Sequence, residues 1–558
     1  MRYRPRLAHL LIGLSFVLAA LASHASTNDE TYTEQLVLTP FPDGKLHSDF
    51  RFDLKGPWTE EATQLGSNTV TQHHSLLPRL LTQLSRQFRV TTFELTLSSG
   101  RWHSHWPLKL PAQLPASGIE LVAWLELLEG ETKEEELARW QSFVGAVGGL
   151  FCAGIEGETA KTESTSPHWA FAFEGDRDED ESGHRLYRLV LPRLAAACTE
   201  SLTPFLSLLP CASHAGLSSL LNPHRLFDGE WTLIDIALKR MADEIEVKLG
   251  IGSVVDPVRH DRLSGQLGRR GFSFSSLYDR ALEAACPVAT ASEVHLVVPT
   301  DSVNPFIIEP NSGKELRHLD GRDVVVWQTN ETLNNASLDV RMTWPDENPF
   351  RYPPTTHLPT LPISARRVLQ GHGQERGRIG VEITNHLDRE MEVLWVETWP
   401  WWVRGFVSSL DSVADGQSLS TVAREIDYVP PIARLRPTTL QVTLRLPPRS
   451  RSQHTLAYES STLWYTEYPS DANRGFSVPG AIVTLMEPRD TDKNQRSILR
   501  LQTPATLVSL PLPDFSMPYN VIILTSTTIA LFFGSIVNGM LRRWFCVDVT
   551  DNDKVKRL

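Results

Sequence analysis

Cysteine is scarce in this chain, with five residues in 558. They stand at positions 152, 198, 211, 286 and 546, and none forms a Cys-x-x-Cys pair, so nothing supports a zinc module. The chain has no His-Glu-x-x-His and no Gly-x-Ser-x-Gly, the local signatures of zinc hydrolases and nucleophile elbows. Gly371, Gly373 and Gly377 have the wrong spacing for a dinucleotide loop. His103-Ser104-His105 puts two imidazoles on one face of a strand, but a third ligand is missing nearby. No catalytic residue, metal or cofactor is therefore expected. Positive charge is also short: 54 Lys and Arg stand against 66 Asp and Glu, for a net charge of −12. Such a surface offers no basic face to nucleic acid.

Charge is absent from one long run. Asn520 to Leu541 carries none, and it is long enough to cross ~30 Å of hydrocarbon at 1.5 Å per residue. Arg542 and Arg543 follow at once, whereas no Lys or Arg lies between Leu501 and Leu541. By the positive-inside rule, residues 542–558 form a cytoplasmic tail. At the other end, Arg2, Arg4 and Arg6 precede the apolar Leu10 to Ala22 and the small residues around Ser23-His24-Ala25. This pattern reads as a signal peptide over 1–25, with the mature chain starting near Ser26 in an oxidising lumen. The tail ends Lys554-Val555-Lys556-Arg557-Leu558. Lysines third and fifth from the end are similar to the dilysine address that returns type I proteins to the endoplasmic reticulum (ER). The expectation is a single-pass type I protein of the ER membrane, lumenal in bulk.

The lumenal part reads as mainly β, in sandwich-like domains with a few helices, plus the one C-terminal transmembrane helix. Apolar and polar residues alternate over 93–97, 119–127, 231–238, 245–249, 338–344, 381–383 and 440–446, the period of half-buried strands. Ser75 is placed to cap a helix running to about Gln87. A second helix follows Thr132, whose next residues Lys-Glu-Glu-Glu suit a helix N-terminus. The proline-rich stretch 346–366 reads as a connector between lumenal domains at 26–345 and 367–519. Residues 174–181 are a charge run, read as a solvated loop. Four tryptophans lie between Trp395 and Trp402, and alternation would put Trp395, Trp399 and Trp401 on one side. They fit a sandwich core, and equally a partner surface or membrane-facing edge. Pro511 to Asn520 is held extended by its prolines and brings Asp514, Ser516 and Asn520 to the lumenal headgroup level.

Several of these residues carry a resemblance. Pro513 to Ile522, PDFSMPYNVI, closely resembles the start of the membrane region in the PIG-T family, a subunit of the GPI transamidase. Other stretches agree in order: Tyr32-Thr33-Glu34-Gln35 with Pro42-Asp43-Gly44, Phe151-Cys152-Ala153, Cys198-Thr199-Glu200, Leu209-Pro210-Cys211 with Ala215-Gly216-Leu217, Cys286-Pro287, Trp464 with Thr466-Glu467-Tyr468, and Asn473 with Gly475-Phe476. The segment Trp231 to Ser276 departs from the family pattern.

The resemblance implies a non-catalytic subunit. The complex would exchange a proprotein's C-terminal signal for a GPI lipid, with the cysteine-protease chemistry on a separate PIG-K-like subunit. This chain would stabilise that subunit and the other membrane subunits, and help to position the GPI lipid. The family's bridging cysteine corresponds to Cys198, expected at a strand end after the apolar Leu194 to Ala197. Its lipid-facing polar residues correspond to Asn473, Asp514, Ser516 and Asn520. The other lumenal cysteines, Cys152, Cys211 and Cys286, have no pairing assigned. Asn330-Glu331-Thr332 and Asn335-Ala336-Ser337 are glycosylation sequons, and the family alignment favours Asn335. The competing reading is an ER cargo receptor, which shares the lumenal β domain, single span and dilysine tail.

Overall fold

The computed structural model describes residues 30–543, apart from 59–73, 152–165, 168, 172–182, 193–196, 260–267, 301–303, 334–336, 348, 353–359, 372–374, 415–416, 419–422, 469–471, 487–496, 513 and 515. The signal-peptide region, Asn335, Lys554 and Lys556 lie outside the described residues. The chain is mostly strand with a few helices and one apolar C-terminal helix, as the alternation predicts.

A ten-stranded sheet dominates the first part. In spatial order its strands are Lys314–Leu319, Arg322–Gln328, Ala291–Val297, Thr31–Pro40, Leu46–Pro57, Glu244–Val255, Trp231–Arg240, Val90–Gly100, Gly118–Glu126 and His184–Leu191. Neighbours run antiparallel except Thr31–Pro40 and Ala291–Val297, which are parallel. The period of two shows directly. Tyr32, Glu34, Leu36 and Leu38 are buried, while the residues between them are half-buried. Phe50, Phe52, Leu95, Leu97, Ile234, Ile236, Val247 and Leu249 face the same core.

Helices cover that face: α1 (Arg79–Phe88), α2 (Lys133–Phe151) and α3 (Thr199–Ser207). Helix α2 starts where expected. Thr132 Oγ accepts from Glu135 N at 3.3 Å and Glu135 Oε2 accepts from Thr132 N at 2.9 Å, a reciprocal cap. Its buried stripe of Trp140, Phe143, Val144, Val147 and Phe151 seals the core, each such side chain contributing ~1.5–3 kcal/mol by leaving water. Helix α1 begins three residues later than Ser75 suggests. Pro78 occupies the N-cap, and the Ser75 backbone N–H and hydroxyl go to the Glu30 carboxylate instead. A proline has no N–H and presets the first turn, so the helix starts just after it.

The last third contributes two antiparallel sheets of five strands each. Their inner faces meet in a core of Ile379, Val381, Val393, Trp395, Trp399, Val442, Leu444, Leu456 and Val483. The tryptophan run is therefore largely core. Trp395 and Trp399 are buried on either side of Glu397, and both indole N–H groups donate to its carboxylate at 3.0 Å. Trp402, not Trp401, is the third buried indole. The strand ends at Trp399 and a turn closed by Val403 N to Pro400 O (2.9 Å) shifts the alternation.

The two parts are stitched together. Strand Ala112–Leu114 adds in parallel to the edge strand Ser497–Gln502. Phe41, Trp102, Trp106 and Trp231 pack into the later core. Buried Arg188 donates to Glu120 at 2.6 Å and to Thr398 at 3.2 Å, and Gln502 donates to the other Glu120 oxygen at 2.5 Å. Finally, α4 (Ser516–Leu541) leaves the body. Its apolar stretch Tyr519–Leu541 is unburied, of a length and composition that can cross a membrane.

Candidate functional site

The body hands the chain to α4 through a short ribbon. Strand Phe476–Val478 pairs antiparallel with Thr506–Val508, eight residues before Ser516. Gly475 sits beside it at φ +88°, and a Cβ there would lie 3.0 Å from the Val508 carbonyl oxygen. Only glycine takes both the angle and the close approach without strain. The Gly475 N–H donates to Ala472 O at 3.2 Å, closing the turn that carries exposed Asn473. Tyr468 donates its hydroxyl to Pro511 O at 2.7 Å and meets Phe476 edge-on at 5.7 Å. The turn bearing Asn473 is thereby fixed against the strand that leads into the span. Asp514 is exposed just before α4, Ser516 is the first residue of that helix, and Asn520 is exposed four residues on. The first turn of α4 has N–H groups without helical partners and the positive end of the helix dipole.

Cys198 belongs to another region. It is the N-cap of α3, with φ −143° and ψ 171°, and not the end of a strand. Thr199-Glu200 opens a helix because Leu202 and Phe205, three apart, both reach the sheet core, and Glu200 complements the helix dipole. The Cys198 Sγ lies 3.5 Å from Ser201 Oγ, is half-exposed, and forms no bond to another described sulfur. Cys211 and Cys286 are disulfide-bonded. Among the described residues, then, one thiol is free, and it stands at a helix start.

The Cys211–Cys286 pair lies against a buried carboxyl. Glu34 accepts from Tyr32 Oη (2.7 Å), Leu217 N (3.0 Å) and Ser292 Oγ (3.1 Å). Burial raises its pKa, opposed by these three donors. Gly216 is at φ +74°, and a Cβ there would come within 2.5 Å of the Glu34 oxygens and 2.8 Å of Cys286 Cβ. Three sequence-distant motifs (Tyr32 to Gln35, Ala215 to Leu217 and Cys286-Pro287) thus meet at one point.

Opposite the helix-covered face, a groove of about 1240 Å³ crosses the sheet, lined by Asp49, Arg51, Glu94, Asp235, His295 and Arg500 among others. Burial, then the Glu94 and Asp49 carboxylates, hold the Asp235 pKa well above the carboxylate range. Among the described residues no three His, Cys, Asp or Glu converge as metal ligands.

The family model of the Gpi16 subunit, a GPI transamidase component, matches residues 15–266 and 263–558. The chain belongs to that family. It is 28% identical to the GPI-anchor transamidase component PIGT of Homo sapiens over 561 residues, covering 95% of this chain and 93% of that one. The Mus musculus counterpart is also 28% identical, covering 95% and 92%. The GPI transamidase component GPI16 of Saccharomyces cerevisiae is 28% identical, covering 93% and 90%.

Sequence reading gave no structural role to Arg188, Glu120, Arg367 or Glu397, whose side chains are buried and paired in this chain. An acidic residue at an inward strand position, as Glu34 and Glu397 both are, was the available signal.

Proposed function

We propose that this GPI transamidase component is a non-catalytic, lumenal type I subunit that steadies a PIG-K-like cysteine-protease subunit and the other membrane subunits, and helps to hold the GPI lipid at the ER membrane face. The observation that supports it is that the turn bearing exposed Asn473 is tied through Tyr468 to Pro511, and that Asp514 and Asn520 are exposed at the start of α4. A GPI headgroup bears phosphates and an amine. Helix-start N–H groups and hydroxyl or amide side chains suit phosphate, and a carboxylate suits the amine. Each charge-assisted hydrogen bond lost costs ~1.5–3 kcal/mol, about 10- to 100-fold in lipid occupancy.

Cys198 is the proposed bridge to the protease subunit. Its support is that Cys211 and Cys286 satisfy each other while the Cys198 thiol is left half-exposed. Such a bond reinforces an interface by raising effective concentration and does not create it. Two readouts test the proposal together. Affinity purification of the full chain from detergent-solubilised ER membranes should return a fixed set of membrane partners, one in a high-mass band on a non-reducing gel. Cys198→Ser should remove that band while the partners still co-purify. A changing set of secretory cargo would instead favour the receptor reading, and persistence of the band in the variant would show that another cysteine makes the bridge.

A further inference from the structure

Exposed large apolar side chains collect where the body approaches α4. The turn 432–436 is closed by Ile432 N to Arg436 O and Arg436 N to Ile432 O, both 3.0 Å, and it projects Ile432 and Leu435. Leu435 is 81% exposed, the highest among large hydrophobics of the described body. Beside it, Trp464 is 63% exposed. Leu507 and Leu512, on either side of the final approach to the helix, are exposed too, and Tyr519 continues the series onto α4 itself.

The turn and Trp464 form one rigid platform. The Arg434 guanidinium lies over the Trp464 ring at 3.7 Å and over Trp401 at 4.6 Å. It also binds Glu467 through two hydrogen bonds, at 2.5 and 3.0 Å. Glu467 Oε2 in turn accepts from Trp464 N at 2.6 Å. Stacking and a forked ion pair fix side chains that would otherwise be mobile. Four residues on, Tyr468 is tied to Pro511 by its hydroxyl at 2.7 Å. From Pro511 the chain has five residues to reach Ser516, a reach of at most about 18 Å. The platform is therefore anchored, through Tyr468, to a point no more than about 18 Å of chain from the start of α4.

We propose that Ile432, Leu435 and Trp464 form a second membrane contact, lying in the interfacial layer of the lumenal leaflet beside the span. The chemistry fits a lipid surface. An indole and branched aliphatic side chains are the types that settle at the headgroup–acyl boundary, with Arg434 and Arg436 at the level of the phosphates. The adjoining ion pair neutralises Glu467, which would otherwise repel anionic headgroups. The contact would set the tilt of the lumenal body against the membrane, and it does not depend on the GPI-positioning reading. A flat protein surface on a neighbouring subunit is the other possible occupant, and the test separates the two.

The test places a photoreactive benzophenone at the platform: Leu435→benzoylphenylalanine, and separately Ile432→benzoylphenylalanine. Each full chain is purified in its complex, reconstituted into nanodiscs containing alkyne-tagged phosphatidylcholine, and irradiated. Both positions should acquire a lipid adduct. Leu316→benzoylphenylalanine, on an edge strand of the ten-stranded sheet and 71% exposed, should acquire none. Adducts to a neighbouring subunit in place of lipid, or no lipid adduct at either platform position, would overturn the proposal.

Discussion

Glu397 is buried with nothing exposed, and it accepts from Trp395 Nε1, Trp399 Nε1 and Arg367 Nη1. Glu397→Ala leaves the guanidinium buried without its counter-charge, which costs ~3–5 kcal/mol. It also orphans two indole N–H groups, at ~1–3 kcal/mol each. These terms overlap because they share one site, so the expected total is ~5 kcal/mol or somewhat more. That rivals the whole stability of a typical domain, ~5–15 kcal/mol. Arg367→Met should be milder, at ~1–3 kcal/mol. Glu397 keeps both indole donors, and burial already raises its pKa, so it can shed its charge by taking a proton. Arginine has no such escape. Arg367 also carries two buried nitrogens without a hydrogen-bond partner, which the variant removes. The assay is thermal unfolding of the detergent-solubilised full chain, with limited proteolysis to follow the region around residues 363–502. Arg367→Met should melt a few degrees lower, and Glu397→Ala should yield little protease-resistant material. Equal shifts for the two variants, or a Glu397→Ala melting point within ~2 °C of the parent, would refute the asymmetry.

Asp235→Asn should stabilise the chain at neutral pH. The folded pKa is raised, by burial and then by Glu94 and Asp49, so the native state binds a proton that the unfolded state releases. Stability from this group is complete below the ordinary Asp pKa and lost as pH rises toward the folded value. The gain from Asn should therefore shrink as the pH of a thermal-shift series falls toward 4, and a pH-independent gain would contradict it. Glycosidase digestion should shift the mobility of ER-derived protein, and Asn335→Gln should abolish most of that shift, with Asn330→Gln removing the remainder. Unchanged mobility of the parent would argue against lumenal exposure of this region. Lys554→Ser with Lys556→Ser, expressed in excess over its partners, should reach later secretory compartments, as read by glycan maturation. Full ER retention would remove the dilysine interpretation.

Local chemistry was legible where it acts alone. The Thr132–Glu135 cap and the alternation of Val90–Gly100 and Trp231–Arg240 could be read directly, because each depends on residues two to four apart, whereas the strand Gly118–Glu126 is there but buried on both faces. The expected strand over 338–344 is shorter, Arg341–Thr343, with Leu338 in an isolated bridge to Leu282. Reading failed where a distant group intervened. Ser75 does not cap α1 because Pro78, three residues on, takes the N-cap position, while Ser75 is held by the distant Glu30. Trp401 and Trp402 exchange places because a turn breaks the phase. Apolar residues before Cys198 said nothing of the helix after it, whose core contacts come from Leu202 and Phe205. The Cys211–Cys286 pairing, the addition of Ala112–Leu114 to Ser497–Gln502, and the meeting of Glu34 with Gly216 join segments that only the folded sheet brings together. The apolar C-terminal helix was legible as an uncharged run. The platform of Arg434 and Trp464 was not, since its members lie thirty residues apart in sequence and meet by stacking.

The central claim is that polar groups at the lumenal root of α4 serve the GPI lipid and not the assembly of the complex. The direct measurement is complementation of cells lacking their own homologous subunit, scored by flow cytometry of surface GPI-anchored proteins and by co-purification of the complex. The parent chain should restore both. Asp514→Leu with Asn520→Leu should restore co-purification yet leave surface GPI-anchored proteins about tenfold or more below the parent, the loss of at least one charge-assisted contact. Parental surface levels in the double variant would contradict the account.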